Sequence, residues 1–168
     1  MSLTYLPYNL PGNIYRSPMP FGAFDKEGDT FEAFGWHDID TVVMLNSDAE
    51  ALARAGRSLR ELYETKGFQV IQLPIADFDV PTLENLDHTL DAIEVEALQG
   101  RNLVIHCYAG LGRTGTAAAL LARRNLGLGG QEAIDWIRNL VPGAVETKSQ
   151  EDLIRAYRLE KGPHPPGR

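Results

Sequence analysis

LVIHCYAGLGRTG, residues 103–115, is the most informative stretch of the sequence and contains its only cysteine. It begins with an apolar run that includes β-branched side chains, which predicts a buried strand. The residues that follow, 116–123, are rich in alanine and leucine and predict a helix. A glycine-rich turn therefore joins a strand to the N-terminus of a helix, where unpaired amides and the helix dipole favour a bound anion.

Two side chains of this turn suit chemistry on a bound anion. Cys107 stands at the start of the turn, where the same amides would stabilise a thiolate. Arg113 follows six residues later, and its planar guanidinium can bind two oxygens of one anion. A nucleophilic sulfur, a set of amides and an arginine around one tetrahedral anion predict attack on a phosphorus atom.

Residues 106–115, HCYAGLGRTG, resemble the H-C-x5-R-T-G signature of the cysteine-dependent protein tyrosine phosphatases. Other interpretations of the turn have less support. Cys107 could be a buried structural cysteine at a strand end. The glycines also satisfy the G-x-G-x-x-G pattern of dinucleotide sites, but Asp135, the acidic residue about twenty positions on, falls in a helical pattern. A nucleotide P-loop would need Lys followed by Ser or Thr where Thr116 and Ala117 stand.

Two further stretches resemble the kinase-associated phosphatases, which are relatives of the dual-specificity group. Residues 74–77, PIAD, resemble their acid loop, and in that alignment Asp77 is the general acid. Asp79 lies two residues later and is the alternative, while aspartates beside prolines also commonly make turns. Residues 144–150, AVETKSQ, resemble a stretch in which the glutamine lies near the pocket. Gln150 is therefore either a pocket residue that orients a water or a helix-start residue without a chemical role.

The resemblance implies a two-step reaction. Cys107 would attack phosphorus to give a phosphocysteine while Asp77 protonates the leaving oxygen, and water activated by Asp77 would then hydrolyse the intermediate. The Thr114 hydroxyl would donate to the leaving thiolate, and His106 would orient the loop. The predicted catalytic residues are Cys107, Arg113, Asp77, Thr114 and His106. The predicted substrate-binding residues are Tyr108, Ala109, Gly110, Leu111, Gly112, Arg113 and Gln150. No metal or cofactor is expected.

Pattern and resemblance together predict an α/β fold of the dual-specificity-phosphatase type. We expect a central four- or five-stranded, mostly parallel sheet flanked by helices on both faces, in a single domain over residues 1–160 with a flexible tail over 161–168. Residues 14–17 predict an edge strand stopped by Pro18. The S-x-x-E run from Ser47 predicts a capping box for a helix to about Thr65, which Gly56 can divide, and Ser149 predicts a second capping box.

Composition restricts the functions open to the chain. A net charge of −7 disfavours nucleic acid and anionic membranes as partners, and the four histidines show no metal-ligand spacing. A single cysteine permits no intramolecular disulfide, and without a predicted signal peptide or membrane span we expect a cytoplasmic protein. The sequence does not predict the oligomeric state.

The sequence predicts the type of reaction more narrowly than it predicts the substrate. Phosphoinositide phosphatases of this superfamily carry lysines in the loop, whereas Tyr108 and Leu111 are neutral. RNA-phosphatase-like relatives have Asn where Gly112 stands. A phosphoprotein is the expected substrate, with phosphotyrosine favoured over phosphoserine and phosphothreonine. A phosphoinositide or other small phosphate monoester is the alternative. A phosphoprotein-binding module without turnover is a further alternative, which the joint presence of Cys107, Arg113 and Asp77 disfavours.

Overall fold

A computed structural model describes residues 3–159 of the chain. Five strands form one sheet in the order β1-β2-β5-β3-β4. Their bounds are β1 Thr4–Leu6, β2 Ile14–Ser17, β3 Ile39–Met44, β4 Gln69–Gln72 and β5 Asn102–His106. Only β1 and β2 pair antiparallel, and the other three pairs are parallel. The predicted α/β fold with a mostly parallel sheet is therefore confirmed.

Helices cover both faces of this sheet. Their bounds are α1 Asp29–Trp36, α2 Asp48–Ala55, α3 Leu59–Thr65, α4 Leu83–Leu98, α5 Gly112–Leu126, α6 Gly130–Leu140 and α7 Lys148–Ala156. The last four helices pack against one face, and the first three pack against the other. Within residues 3–159, no helix combines the length and the apolar character that a membrane span requires.

The alternation of side chains along β3 and β5 explains why two separate cores form. Val43 and Ile105 point towards α4 and α5, while Val42 and Val104 point towards α1 and α3, and all four side chains are fully buried. Strands buried on both faces carry near-continuous apolar runs, as both of these strands do. Helix α5 is buried along most of its length, and its contacts include α6 and α7.

Strand β2 lies inside the sheet, so its prediction as an edge strand was wrong. It pairs with β5 on one side and with β1 on the other, and sequence analysis did not predict β1. Strand neighbours depend on long-range pairing, whereas the local pattern shows only that a strand exists.

Both helix-cap predictions need correction. The predicted division at Gly56 is confirmed, because Gly56 adopts a left-handed φ of 70° and ends α2, so the segment is two helices. The Ser47 hydroxyl accepts from the amide of Glu50, but the Glu50 side chain turns away to another partner. Helix α7 is capped by Thr147 rather than by Ser149. The predicted tail, 161–168, lies outside the described residues.

The parallel strands place four loops at one edge of the sheet. The carboxyl ends of β2, β3, β4 and β5 all meet there, and this is the edge at which open α/β sheets bind ligands. The loop after β5, residues 107–113, is called the cysteine loop below. The loop after β4, residues 74–81, is called the aspartate loop.

Candidate active site

The cysteine loop runs from the central strand β5 into the N-terminus of α5. Cys107 is only 2% exposed. Leu111 occupies the N-cap position and has no side-chain acceptor, so the first amides of α5 remain available to an anion. Gly110 has a φ of 73°, and a Cβ atom there would lie 2.3 Å from the carbonyl oxygen of Ser17. A larger residue at Gly110 would therefore displace the loop from the end of β2.

The Arg113 guanidinium lies at the centre of the site, and its side chain is 1% exposed. Its Nη1 donates to Glu50 Oε2 at 2.7 Å and to the carbonyl oxygen of Ile75 at 2.8 Å. Its Nη2 donates to Glu50 Oε1 at 2.9 Å and to Asp77 Oδ1 at 3.0 Å. Burial alone would lower the pKa of Arg113, but the hydrogen bond to Glu50 and the charges of Cys107, Glu50 and Asp77 outweigh it and raise that pKa.

Some buried donors beside the cysteine loop lack a hydrogen-bond partner among residues 3–159. A guanidinium has five N–H donors, and Arg113 uses the four on its terminal nitrogens. Among residues 3–159, its buried Nε–H and the buried hydroxyl of Thr114 have no hydrogen-bond partner. Buried polar groups are ordinarily satisfied, so unpaired donors beside an anion-binding loop suit a ligand rather than a packing role.

The two aspartates of the aspartate loop face different surroundings. Asp77 lies between two guanidinium groups, with Oδ1 bound to Arg113 and Oδ2 at 3.2 Å from Arg54 Nη2. Asp79 is exposed, and its Oδ1 accepts from the following amide, that of Val80, at 2.8 Å. Asp77 therefore reaches Arg113, while Asp79 stabilises the turn of its own loop.

His106 lies beneath the loop and is completely buried. Its Nδ1 is 3.0 Å from the carbonyl oxygen of Cys107, so this nitrogen carries the proton and donates it. Its Nε2 then accepts from the Tyr63 hydroxyl at 3.0 Å. Burial lowers the pKa of His106 to about 4, although the bond to Cys107 opposes this shift. A neutral imidazole therefore fixes the end of β5 against α3.

Gln150 is fully buried and joins two loops of the site. Its Oε1 accepts from the amides of Glu146 and Thr147 at 2.9 and 3.2 Å, and its Nε2 donates to the carbonyl oxygen of Asp79 at 3.4 Å. A Cβ atom on Gly112 would lie 3.1 Å from this Nε2. Gln150 therefore belongs to the helix cap and also borders the cysteine loop, so both alternatives for its position have structural support.

Sequence analysis missed three side chains of the site. Glu50 binds Arg113, Tyr63 binds His106, and Arg54 binds Asp77 and stacks with its guanidinium carbon 3.9 Å from the centre of the Tyr108 ring. The S-x-x-E pattern at Ser47 drew attention to Glu50, but as a capping residue only. Within residues 3–159, no cluster of His, Cys, Asp and Glu side chains has the geometry to hold a metal ion.

A known protein family and several curated proteins are similar in sequence to this chain. A family model described as "Polymorphic toxin system, DSP-PTPase phosphatase" matches residues 21–125. Mouse cyclin-dependent kinase inhibitor 3 is 30% identical over 102 residues, which are 60% of this chain and 48% of the mouse protein. The aligned region spans about half the length of the first three relatives.

Solved structures show the same fold. The crystal structure of Tk-PTP in its active form has a TM-score of 0.75 and 32% identity, and the match covers 92% of this chain and 94% of that one. Kinase-associated phosphatase with its catalytic-site cysteine replaced by serine has a TM-score of 0.82 and 22% identity, with 95% and 98% covered. At that identity the second match shows the fold alone. The resemblance to dual-specificity phosphatases is confirmed.

Proposed function

Because the chain belongs to the DSP-PTPase family, we propose that it is a cysteine-dependent phosphatase that hydrolyses phosphotyrosine in proteins through a phosphocysteine intermediate. One observation carries this proposal. Asp77 reaches within 3.0 Å of the arginine that closes the cysteine loop, so a nucleophile, an anion-binding loop and an acid face the same position. A phosphotyrosine ester needs all three.

In the first step, the Cys107 sulfur attacks phosphorus and the bond to the tyrosine oxygen breaks. The charge on the phosphoryl oxygens is stabilised by the amides of the loop and by Arg113. A phenolate with a pKa of ~10 is a poor leaving group, so Asp77 gives it a proton as the bond breaks.

Arg113 can change partners when the phosphate binds. Its Nε–H and one Nη2–H point to the same side of the guanidinium and form a fork that matches two phosphate oxygens. The Nε–H is unpaired among the described residues, but Asp77 occupies Nη2. An entering phosphate therefore displaces Asp77 from Arg113 and frees it for the leaving oxygen, while Glu50 continues to hold the Nη1/Nη2 edge of the guanidinium.

In the second step, Asp77 takes a proton from water, which attacks the phosphocysteine and releases phosphate. The cysteine leaves as a thiolate, and the unpaired Thr114 hydroxyl can donate to it. Gln150 borders Gly112 and bonds to the aspartate loop, and this position supports a role for its amide in orienting that water.

The surface around the loop supports an aromatic phosphate ester. Tyr108 is uncharged and packs edge-on against Phe24, with ring centres 5.3 Å apart. Phe24 and Phe78 expose more than half of their surface beside the two loops. Aromatic side chains at a pocket rim favour a phenyl ring over a highly charged head group.

A turnover screen without added metal tests the proposal. It compares phosphotyrosine, phosphoserine and phosphothreonine peptides with a phosphoinositide and a nucleotide, with Cys107→Ser as the control. We expect the highest kcat/KM on the phosphotyrosine peptide and no turnover by Cys107→Ser. A higher kcat/KM on the phosphoinositide or the nucleotide would show that the substrate class is wrong.

A further inference from the structure

We propose that Arg54 is a positioning residue that holds Asp77 over the cysteine loop once phosphate has taken its place on Arg113. This role rests on the proposed function, in which Asp77 transfers protons above the cysteine loop. Each of the two oxygens of the Asp77 carboxylate has its own guanidinium partner, Arg113 Nη2 at 3.0 Å and Arg54 Nη2 at 3.2 Å.

These two contacts differ in what happens to them during the reaction. The contact with Arg113 uses an N–H that the phosphate needs, so it ends when substrate binds. The contact with Arg54 uses a residue outside the phosphate fork, so it can persist. Arg54 is then the charged side chain that still holds Asp77 while the aspartate exchanges protons with the leaving oxygen and with water.

The position of Arg54 is itself well defined. It lies in the last turn of α2, with its guanidinium carbon 3.9 Å from the centre of the Tyr108 ring and its Nε 3.5 Å from Glu50 Oε1. The Tyr108 ring packs in turn against Phe24 in a T-shaped arrangement. A planar guanidinium can stack on a ring and donate within its plane at the same time, which a lysine ammonium cannot do.

Arg54 therefore contacts three segments, namely α2, the cysteine loop through Tyr108 and the aspartate loop through Asp77, and it does so without using the Arg113 N–H groups. The aspartate loop needs such a link because Phe78, next to Asp77, is exposed and makes little contact with the core. A proton donor must also lie within hydrogen-bond reach of the leaving oxygen, and small displacements are costly. The adjacent cation stabilises the carboxylate that forms as the proton leaves.

Arg54→Met removes the charge and keeps most of the side-chain length. On a phosphotyrosine peptide we expect kcat to fall about tenfold, since positioning is impaired while the proton donor remains. KM should change less than about twofold, because Arg113 and the loop amides still bind the phosphate. The loss should be smaller on nitrophenyl phosphate, whose leaving group needs no proton. Arg54→Lys should recover only part of the loss.

Arg57 provides a matched control. It lies in the connection between α2 and α3. Its guanidinium carbon lies 4.0 Å from the centre of the Phe21 ring rather than over Tyr108. Arg57→Met removes the same charge from the same region and should change kcat on the peptide less than about twofold. Thermal melting of each variant separates an effect on Asp77 from a loss of folded protein.

A double variant gives the sharpest test. If Arg54 acts through Asp77, then Arg54→Met combined with Asp77→Asn should be no slower than Asp77→Asn alone. Multiplied losses in the double variant, equal losses on both substrates, or an Arg57→Met variant as slow as Arg54→Met would each overturn the inference and leave the phosphatase mechanism in place. If Asp77→Asn itself caused no loss on the peptide, the proposed role of Asp77 and the inference would both be wrong.

Discussion

The cysteine loop is enclosed by the protein, whereas the aspartate loop lies largely at its surface. The Cys107 residue and the Arg113 side chain are 2% and 1% exposed, against 28% for the Asp77 side chain and 58% for Phe78. One loop connects the central strand β5 to a buried helix, and the other follows the edge strand β4. The groups proposed to bind developing charge are therefore fixed by the core, while the group proposed to transfer protons is held by side-chain pairs that can change.

This difference predicts that changes in the cysteine loop will be the most damaging to turnover. Cys107→Ser should reduce kcat by ~10⁴-fold or more, because a hydroxyl is far harder to ionise than a thiol. Phosphopeptide binding should remain, since Arg113 and the amides are unchanged. Single-turnover kinetics and isothermal titration calorimetry measure the two properties separately, and substantial turnover by this variant would exclude Cys107 as the nucleophile.

A change at Asp77 should impair proton transfer in both steps, and its effect on the first step should depend on the leaving group. Asp77→Asn should lower kcat on a phosphotyrosine peptide by ~10²–10⁴-fold, cost less on nitrophenyl phosphate and remove the alkaline limb of the pH–rate profile. Asp79→Asn is the matched control and should cost less than about tenfold on both substrates. If Asp79→Asn removed the alkaline limb and Asp77→Asn kept it, the alignment of this loop would be wrong by two residues.

Glu50 supports both regions through Arg113, because it binds the Nη1/Nη2 edge of the guanidinium while Asp77 binds the other N–H of Nη2. Glu50→Gln should reduce kcat/KM on the peptide by ~10–10²-fold, since a buried guanidinium loses its charged bidentate partner. Glu61 offers a control, as it follows a helix-capping serine at the same spacing on α3. Glu61→Gln should leave kcat/KM unchanged, and a similar loss in both variants would indicate a helix-cap effect instead.

Burial of His106 beneath the cysteine loop should make the free energy of unfolding depend on pH. Burial lowers the pKa of His106 from 6.5 to about 4 in the folded protein, so between these values the unfolded chain binds more protons. Stability should therefore fall as pH decreases from 6.5 to 4, by about 3 kcal/mol in total from this group. Urea unfolding across this range should show the decrease in the wild type and less of it in His106→Gln.

His88 is the control for that experiment, because it is exposed on α4. His88→Gln should keep the pH dependence of the wild type. A wild-type slope that His106→Gln retains in full would assign the effect to carboxylates elsewhere in the protein.

The cysteine loop could be predicted from sequence because the residues that form it lie close together in the chain. A strand, a turn and a helix follow one another within residues 103–123, and the spacing of Cys107 and Arg113 predicts that both face one anion. Asp77 was found through the resemblance of a short loop rather than through its contacts. The roles of these residues in the reaction remain predictions that the experiments above test.

The supporting contacts could not be predicted, because they join distant parts of the chain. Glu50 and Arg113 are 63 residues apart, Tyr63 and His106 are 43 apart, and Arg54 and Asp77 are 23 apart. Each pair depends on which strands are neighbours, and local periodicity carries no information about strand order. The misplacement of β2 at the sheet edge has the same cause.

The most direct test of the proposed reaction is to trap the covalent intermediate. Asp77→Asn lacks the base for the second step, so with an activated aryl phosphate it should accumulate phosphoenzyme. Acid quenching within milliseconds, followed by mass spectrometry of peptides, should locate the mass of one phosphoryl group on Cys107 and on no other residue. Phosphate on a different side chain, or rapid turnover with no phosphoenzyme while Cys107→Ser remains active, would contradict a phosphocysteine mechanism.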